Sequence, residues 1–325
     1  MVRVVEAFPS GSGVAPPIPG RLVTADKRTG ETIAFEPISP LRAESFSQLD
    51  ITLDTAAATY WCMMRPEQPC FQPSLLRELS DMQASLRRLF IGRDPAMPPP
   101  VRYFVVGSHA PGIFNLGGDL SLFASLIRRG EREELRTYAR ACISVVHNNA
   151  VAYELPIVTI AMVQGDALGG GFEAALSCNV IVAERSAKFG LPEILFNLFP
   201  GMGAYSFLSR RIGPVAAERM ILSGKIFTAE ELHEEGVVDL LVEDGGAPSA
   251  VRGYIARHSR RHNAEHALYR VRQRVSPITY DELSDIIDVW VDAAMRLTET
   301  ELRKMERIAM AQNRRWVARS LAMAI

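Results

Sequence analysis

Two glutamates and two runs of glycine are the residues from which acid–base chemistry could be assembled. Ala167 to Glu173 reads ALGGGFE, and FGLPE follows, ending at Glu193. A helix that begins near Gly170 leaves its first N–H groups without intrahelical partners, and glycine lets a ligand approach that backbone closely. An anion, or a carbonyl oxygen gaining negative charge, is stabilised there by backbone donors and the helix dipole. Glu173 lies among Phe172, Ala174, Ala175 and Leu176, and Glu193 lies within FGLPEILF. Carboxyl groups in such apolar settings are costly to ionise, which raises their pKa and makes them a candidate acid/base pair.

A third stretch, FNLGGDL from Phe114 to Leu120, places two glycines before another helix. An oxyanion hole needs two converging donors, and the Gly118 and Gly170 N–H groups could supply them. Other readings of Gly169, Gly170 and Gly171 remain open. The glycines could permit close packing of helix on sheet. A phosphate loop is the rival, but they fit neither GxGxxG nor GxxxxGK[ST].

The elements that must position these residues alternate. Gln48 to Met64 reads as one or two strands, and Pro73 to Leu89 carries Leu75, Leu76, Leu79, Met82, Leu86 and Leu89 at helical spacing. Val101 to Val106 predicts a short strand ending at Gly107, and Asp119 to His147 a helix broken at Gly130. Pro156 to Val163 reads as a strand running into the glycines, then a short helix to Ser177, then a strand over Val180 to Ala183. This order argues for an α/β fold with crossover connections. From Pro214 onward the pattern is mainly helical, with three longer segments from about Ser249 to the end. The division expected is a flexible arm over residues 1–45, a core over 46–245 and a helical region over 246–325.

Composition narrows the function classes. The chain has 325 residues and a net charge of -1, so it has no global electrostatic footprint for nucleic acid or an anionic membrane. The N-terminus lacks an apolar signal core, and no uninterrupted run of about eighteen apolar residues occurs. A cytoplasmic location is expected, with Cys62, Cys70, Cys142 and Cys178 as buried free thiols. His109, His147, His233, His258, His262 and His266 form no HExxH set, and no metal site is expected. His258, His262 and His266 lie in a stretch with seven arginines and one glutamate from Arg252 to Arg274, which predicts a solvated basic surface. Such a surface would suit an acidic carrier protein or a coenzyme A phosphate. Serine hydrolase chemistry has no GxSxG to support it.

FNLGGDL, VQGDALGGGFEAALSCNVIVAERSAKFGLPE, LFPGMGAYSFLSRRIG and ILSGKIFTAEELHEEGVVDLL together resemble, in order and spacing, the crotonase (enoyl-CoA hydratase/isomerase) superfamily. The resemblance covers roughly Gln48 to Asp244. Within that superfamily LGGDL, GGGFEAALSC, LFPGMGAYSF and IDVWVDAAMRL are most similar to the diffusible signal factor synthases of the RpfF type. Ordinary hydratases usually carry AGADI where this chain has GGDL.

The resemblance implies a crotonase-like spiral of ββα turns with a C-terminal helical trimerisation region, forming a trimer or a dimer of trimers. It implies Glu173 and Glu193 as catalytic residues, Gly118 and Gly170 as the oxyanion hole, and a thioester substrate on acyl carrier protein or coenzyme A, with no cofactor. For the acyl tail the candidates are Leu168, Gly169, Met202, Trp290, Val291 and Met295. Trp290, Ala294 and Leu297 would share one face of a helix, with Val291 and Met295 beside it. The expected activity is dehydration of a 3-hydroxyacyl carrier-protein thioester followed by thioester hydrolysis, giving a cis-2-unsaturated fatty acid signal. The alternatives are a coenzyme A-dependent hydratase or isomerase, and a non-catalytic binding protein. A sensor kinase's receiver domain is a further expected partner.

Overall fold

A computed structural model describes residues 46–94 and 96–322, with residues 2–5, 20–21 and 36–37. Most of the flexible arm expected over residues 1–45 lies outside the described residues. Within that span β1 (Val2–Val5) pairs parallel to β4 (Leu49–Asp54), and β2 (Gly20–Arg21) pairs with β3 (Glu36–Pro37). The sequence pattern did not indicate these pairings.

The alternating stretch Gln48 to Met64 folds as β4 (Leu49–Asp54) and β5 (Thr59–Met64), antiparallel, with Leu49, Ile51 and Leu53 turned inward. α1 (Pro73–Arg88) starts with proline at its first position, where no intrahelical donor is lost, and buries its leucine stripe. β6 (Tyr103–Ser108) then runs through Gly107 instead of stopping there, because a side chain at that position would meet Met63 at 2.8 Å and glycine avoids the contact.

From β6 onward each turn has the same form: a strand of a large sheet, a three-residue strand of a small sheet, then helix. β6 is followed by β7 (Ile113–Asn115) and by α2 (Leu120–Arg129) and α3 (Arg132–Ala150), separated at Gly130 in the left-handed region. β8 (Val158–Val163) is followed by β9 (Asp166–Leu168) and α4 (Gly170–Leu176). β10 (Val180–Glu184) is followed by β11 (Lys188–Gly190), a 3-10 turn at Pro192–Phe196, α5 (Ala204–Ile212) and α6 (Pro214–Ser223). This is the expected spiral of ββα turns. β6, β8 and β10 are buried at every position, as parallel strands covered on both faces must be.

The chain beyond Pro214 is less uniformly helical than its pattern suggested. β12 (Ile226–Thr228) pairs antiparallel to β11, α7 (Ala229–Glu234) opens with a Thr228–Glu231 capping box, and β13 (Leu240–Val242) joins β10. The large sheet therefore has the order β1-β4-β5-β6-β8-β10-β13 and the small one β12-β11-β9-β7. After β13 the described chain carries four helices rather than three: α8 (Ala247–His258), α9 (His262–Val275), α10 (Tyr280–Ala294) and α11 (Glu299–Ala322).

α10 is the one that matters for the site. Thr279 caps it by accepting the Glu282 N–H, and Leu283, Ile287, Trp290, Val291 and Ala294 form one inward stripe. Burying each large member contributes about 2 kcal/mol. Ion pairs from Arg136 to Asp288 at 2.8 Å and from Arg132 to Asp292 bridge α3 and α10, but at partial exposure they add little beside that burial. Leu302 and Met305 of α11 enter the same core.

Candidate active site

β7, β9 and β11 lie side by side and parallel, so the chain leaves all three at the same end of the small sheet. The three motifs are the three exits. Gly117 and Gly118 follow β7, Gly169 and Gly170 follow β9, and Glu193 follows β11. Gly169 is held at the exit by donating its N–H to the Gly190 carbonyl at 2.8 Å.

Two of the glycines are demanded by the backbone. Gly117 has φ +97 and Gly169 has φ +51, where side chains are strained. A Cβ on Gly117 would also lie 2.9 Å from the Gly170 nitrogen and from the Leu168 carbonyl oxygen, so the two loops approach backbone to backbone. A Cβ on Gly171 would lie 1.9 Å from the Asn115 carbonyl oxygen, which lets α4 start directly against β7. These are close-packing glycines, and the packing itself brings Gly118 and Gly170 to one cavity.

That cavity carries both glutamates and both glycines on its wall. The rest of the lining is apolar and aromatic: Leu120 and Phe123 from α2, Tyr138, Ala139 and Cys142 from α3, Phe196 and Leu198, Met202, and Ile287 and Trp290 from α10. Phe123 meets Trp290 edge to face at 5.3 Å between ring centres.

Glu173, 1% exposed in the first turn of α4, accepts the Ala204 N–H through Oε1 at 2.9 Å. Burial pushes its carboxyl well above the ordinary range, the neighbouring Glu193 charge adds to the rise, and the Ala204 and Met202 N–H groups oppose it. Glu193 is raised from 4.5 to about 7, again chiefly by burial. Its Oε2 is shut off from solvent with no hydrogen-bond partner among the described residues. Two buried carboxyls this close oppose double ionisation, so near neutrality the pair carries a proton. Such a pair can accept a proton at one carbon and deliver one at another while the backbone donors of Gly118 and Gly170 face a developing oxyanion.

The acyl-tail candidates divide. Met202 and Trp290 reach the cavity wall. Leu168 instead packs with Ala110, Ile113 and Leu116 in a separate cluster, and Gly169 lies against Glu193, where a Cβ would be 2.5 Å from Oε1. Val291 is fully buried in the core away from the wall, one strip round from Trp290. α10 ends at Ala294; Met295 is its C-cap, donating its N–H to the Val291 carbonyl oxygen at 2.9 Å, Leu297 lies past the helix end, and neither is on the cavity wall. Tyr138, Cys142, Phe123 and Ile287 line the site without having been singled out in the sequence, where each is one more apolar position on an amphipathic helix.

The histidines also differ from expectation. His262 is buried, with its Nε2 against the Arg102 carbonyl oxygen at 3.1 Å and its ring edge-on to Tyr103, so this part of the basic stretch packs inward. His258 ends α8 while His262 and His266 belong to α9, with a 3-10 turn between. No helix among the described residues is long and apolar enough to cross a membrane.

The chain is similar to known proteins in sequence and in fold. The chain is 36% identical over 143 residues to the mitochondrial methylglutaconyl-CoA hydratase of Mus musculus, a segment spanning 44% of this chain and 43% of the mouse protein. The chain thus spans under half the length of the curated relatives it matches first. Among solved structures, DspI of Pseudomonas aeruginosa superposes with a TM-score of 0.59 at 26% identity, over 76% of this chain and 98% of DspI. An enoyl-CoA hydratase from Bacillus halodurans superposes with a TM-score of 0.66 at 22% identity, over 80% of this chain and 98% of its own, a likeness of fold. The enoyl-CoA hydratase/isomerase model matches residues 76–261, a span that holds both glycine loops and both glutamates. By that match the chain belongs to the enoyl-CoA hydratase/isomerase family.

Proposed function

We propose that the protein dehydrates a medium-chain 3-hydroxyacyl thioester and then hydrolyses the enoyl thioester, releasing a 2-unsaturated free acid. The thioester carbonyl oxygen accepts the N–H groups of Gly118 and Gly170. The ionised carboxyl of the Glu173–Glu193 pair takes the C2 proton, the electron pair moves onto the carbonyl oxygen, and the protonated carboxyl gives its proton to the C3 hydroxyl, which leaves as water. Each well-placed N–H donor to the enolate is worth roughly 3 kcal/mol of barrier. In the second step a carboxylate removes a proton from water as it attacks the carbonyl carbon. The same N–H groups hold the tetrahedral oxyanion, and the thiol departs with a proton from the pair.

The observation that carries this reading is the contribution of α10. The IDVWVDAAMRL segment, on which the resemblance to the signal synthases rests, supplies Ile287 and Trp290 to the cavity that holds both carboxyls. A buried apolar wall suits an alkyl tail whose length the aromatic pair Phe123 and Trp290 limits. The substrate thiol is carried by acyl carrier protein. Leu268, Val271 and Val275 project from α9 at 65%, 55% and 80% exposure, which supports assembly into trimers through the C-terminal helices. The reading includes a cytoplasmic site of action.

A second reading is favoured by the similarity to methylglutaconyl-CoA hydratase: reversible hydration or isomerisation of an acyl-CoA, with no hydrolysis. Mass spectrometry of products from a 3-hydroxyacyl carrier-protein thioester, beside Glu173→Gln and Glu193→Gln, separates the two. A free 2-unsaturated acid lost in both variants is the expected result. Enoyl thioester as sole product, or reaction with the coenzyme A form alone, would overturn the synthase reading.

A further inference from the structure

We infer that Tyr138 is a positioning residue whose hydroxyl clamps the loop that carries the Gly118 N–H against Phe71; this rests on the proposed role of that N–H as a donor to the thioester oxygen. The loop Leu116–Asp119 runs beside Phe71, with Phe71 and Gly118 paired as a single parallel bridge. On one side of that bridge the Phe71 N–H donates to the Gly117 carbonyl oxygen at 2.8 Å. On the other side a side chain from α3 bridges the two backbones. The Tyr138 hydroxyl donates to the Phe71 carbonyl oxygen at 2.5 Å and accepts the Asp119 N–H at 3.1 Å.

The consequence follows from the planar trans peptide, in which successive carbonyl and N–H groups point to opposite sides. The Phe71 N–H ties down the Gly117 carbonyl, so the Gly118 N–H of the same peptide points away from Phe71, and the Tyr138 hydroxyl, bridging the Phe71 carbonyl and the Asp119 N–H, keeps that peptide in register against Phe71. Gly118 is on the cavity wall, and in the proposed geometry its N–H faces that cavity. The Tyr138 ring is fixed by its edge-to-face contact with Phe123 at 5.1 Å, and Phe123 in turn lies where a Gly118 side chain would be, 2.5 Å from its Cβ position. Asn115 Oδ1, accepting the Gly117 N–H at 2.8 Å, holds the entry to the loop but not its exit. Without the hydroxyl the Asp119 end is left to relax, and buried polar groups that lose a partner rearrange to recover one.

The test reads the carbonyl directly, without depending on which reaction the enzyme performs. Infrared difference spectra are recorded for a saturated octanoyl-pantetheine thioester, labelled with carbon-13 at the carbonyl, bound to the full chain. Binding to the wild type is expected to lower the carbonyl stretch relative to water. Tyr138→Phe, which keeps the ring, is expected to lose a large part of that shift, and to lower kcat on the turned-over thioester by roughly 10- to 100-fold with KM changed less than about threefold. Tyr153→Phe removes a comparable buried hydroxyl bond, to Asn149, at a site that does not touch the loop. It should keep the full shift, and its melting temperature calibrates that of Tyr138→Phe. A 3-fluorotyrosine at position 138, with ring and hydroxyl in place but a weaker acceptor, should move the stretch in the same direction by less. A full wild-type shift in both position-138 variants overturns the role of Tyr138. No shift in the wild type overturns the oxyanion reading of Gly118 and this inference with it.

Discussion

Two regions of the molecule bury carboxyl groups and treat them in opposite ways. At the junction of α8 and α9, Glu265 has an Oε1 that receives the Tyr254 hydroxyl and lies 3.2 Å from His258 Nδ1, a cationic partner when protonated. In the cavity, Glu173 and Glu193 have no basic side chain paired with them among the described residues. Glu173 receives only backbone N–H groups, and Glu193, which like Glu265 keeps one buried oxygen without a partner, has no imidazole beside it. The first arrangement is what burial of a charge ordinarily requires. The second leaves the cost standing, as raised affinity for protons, and a proton-binding pair beside two glycine N–H groups is what C2–H and C3–OH chemistry needs.

The largest expected effect of this difference is on turnover. Glu173→Gln and Glu193→Gln should each lower kcat by roughly 1,000-fold, about 4 kcal/mol of barrier, whereas Glu265→Gln stays within about threefold. Steady-state rates on one thioester compare the three, and equal losses at Glu265 would erase the distinction. Backbone packing comes next. Gly171→Ala pushes a Cβ into the Asn115 carbonyl oxygen and should cost about 3 kcal/mol in denaturant unfolding. Gly253→Ala in α8, where the nearest atom is the end of the Arg257 side chain at 3.3 Å, should be neutral or stabilising by up to about 1 kcal/mol.

The pH dependence of stability sharpens the comparison further. Glu193 is raised from 4.5 unfolded to about 7 folded, so its favourable contribution is fully present below 4.5 and is lost as pH rises through 7. Glu193→Gln should therefore gain on the wild type by up to about 3 kcal/mol between pH 4.5 and pH 7.5, read from urea midpoints at both. A constant difference across that window would contradict the burial of this carboxyl. The smallest effect belongs to the other region. His258→Gln removes a partner that is 38% exposed and should cost below about 1 kcal/mol at pH 6.

The chemistry was more legible in the sequence than the walls around it. Glu173 and Glu193 stand out because a carboxylate in a run of apolar residues breaks the pattern, and Gly169 to Gly171 because three glycines cannot be a propensity choice. β7, β9 and β11 were invisible because three residues are too few to show a period of two, yet their common C-terminal end is what gathers the motifs. Tyr138, Cys142 and Ile287 obey the helical pattern of α3 and α10 and so look like any core position. Leu168 and Val291 show the converse: an apolar residue within two positions of a cavity residue in sequence points elsewhere once backbone geometry is fixed, Leu168 into the Ile113 cluster and Val291 into the core.

The shared proton of the glutamate pair is the centre of the account, and carbon-13 NMR of the glutamate side-chain carboxyls reads it most directly. Titration of the wild type from pH 3 to 9, with Glu173→Gln and Glu193→Gln to assign the signals, should show one carboxyl titrating near 7 and the other well above the ordinary range. Both signals titrating close to 4.5 would contradict it, because two independently ionised carboxylates hold no proton to give to a departing hydroxyl.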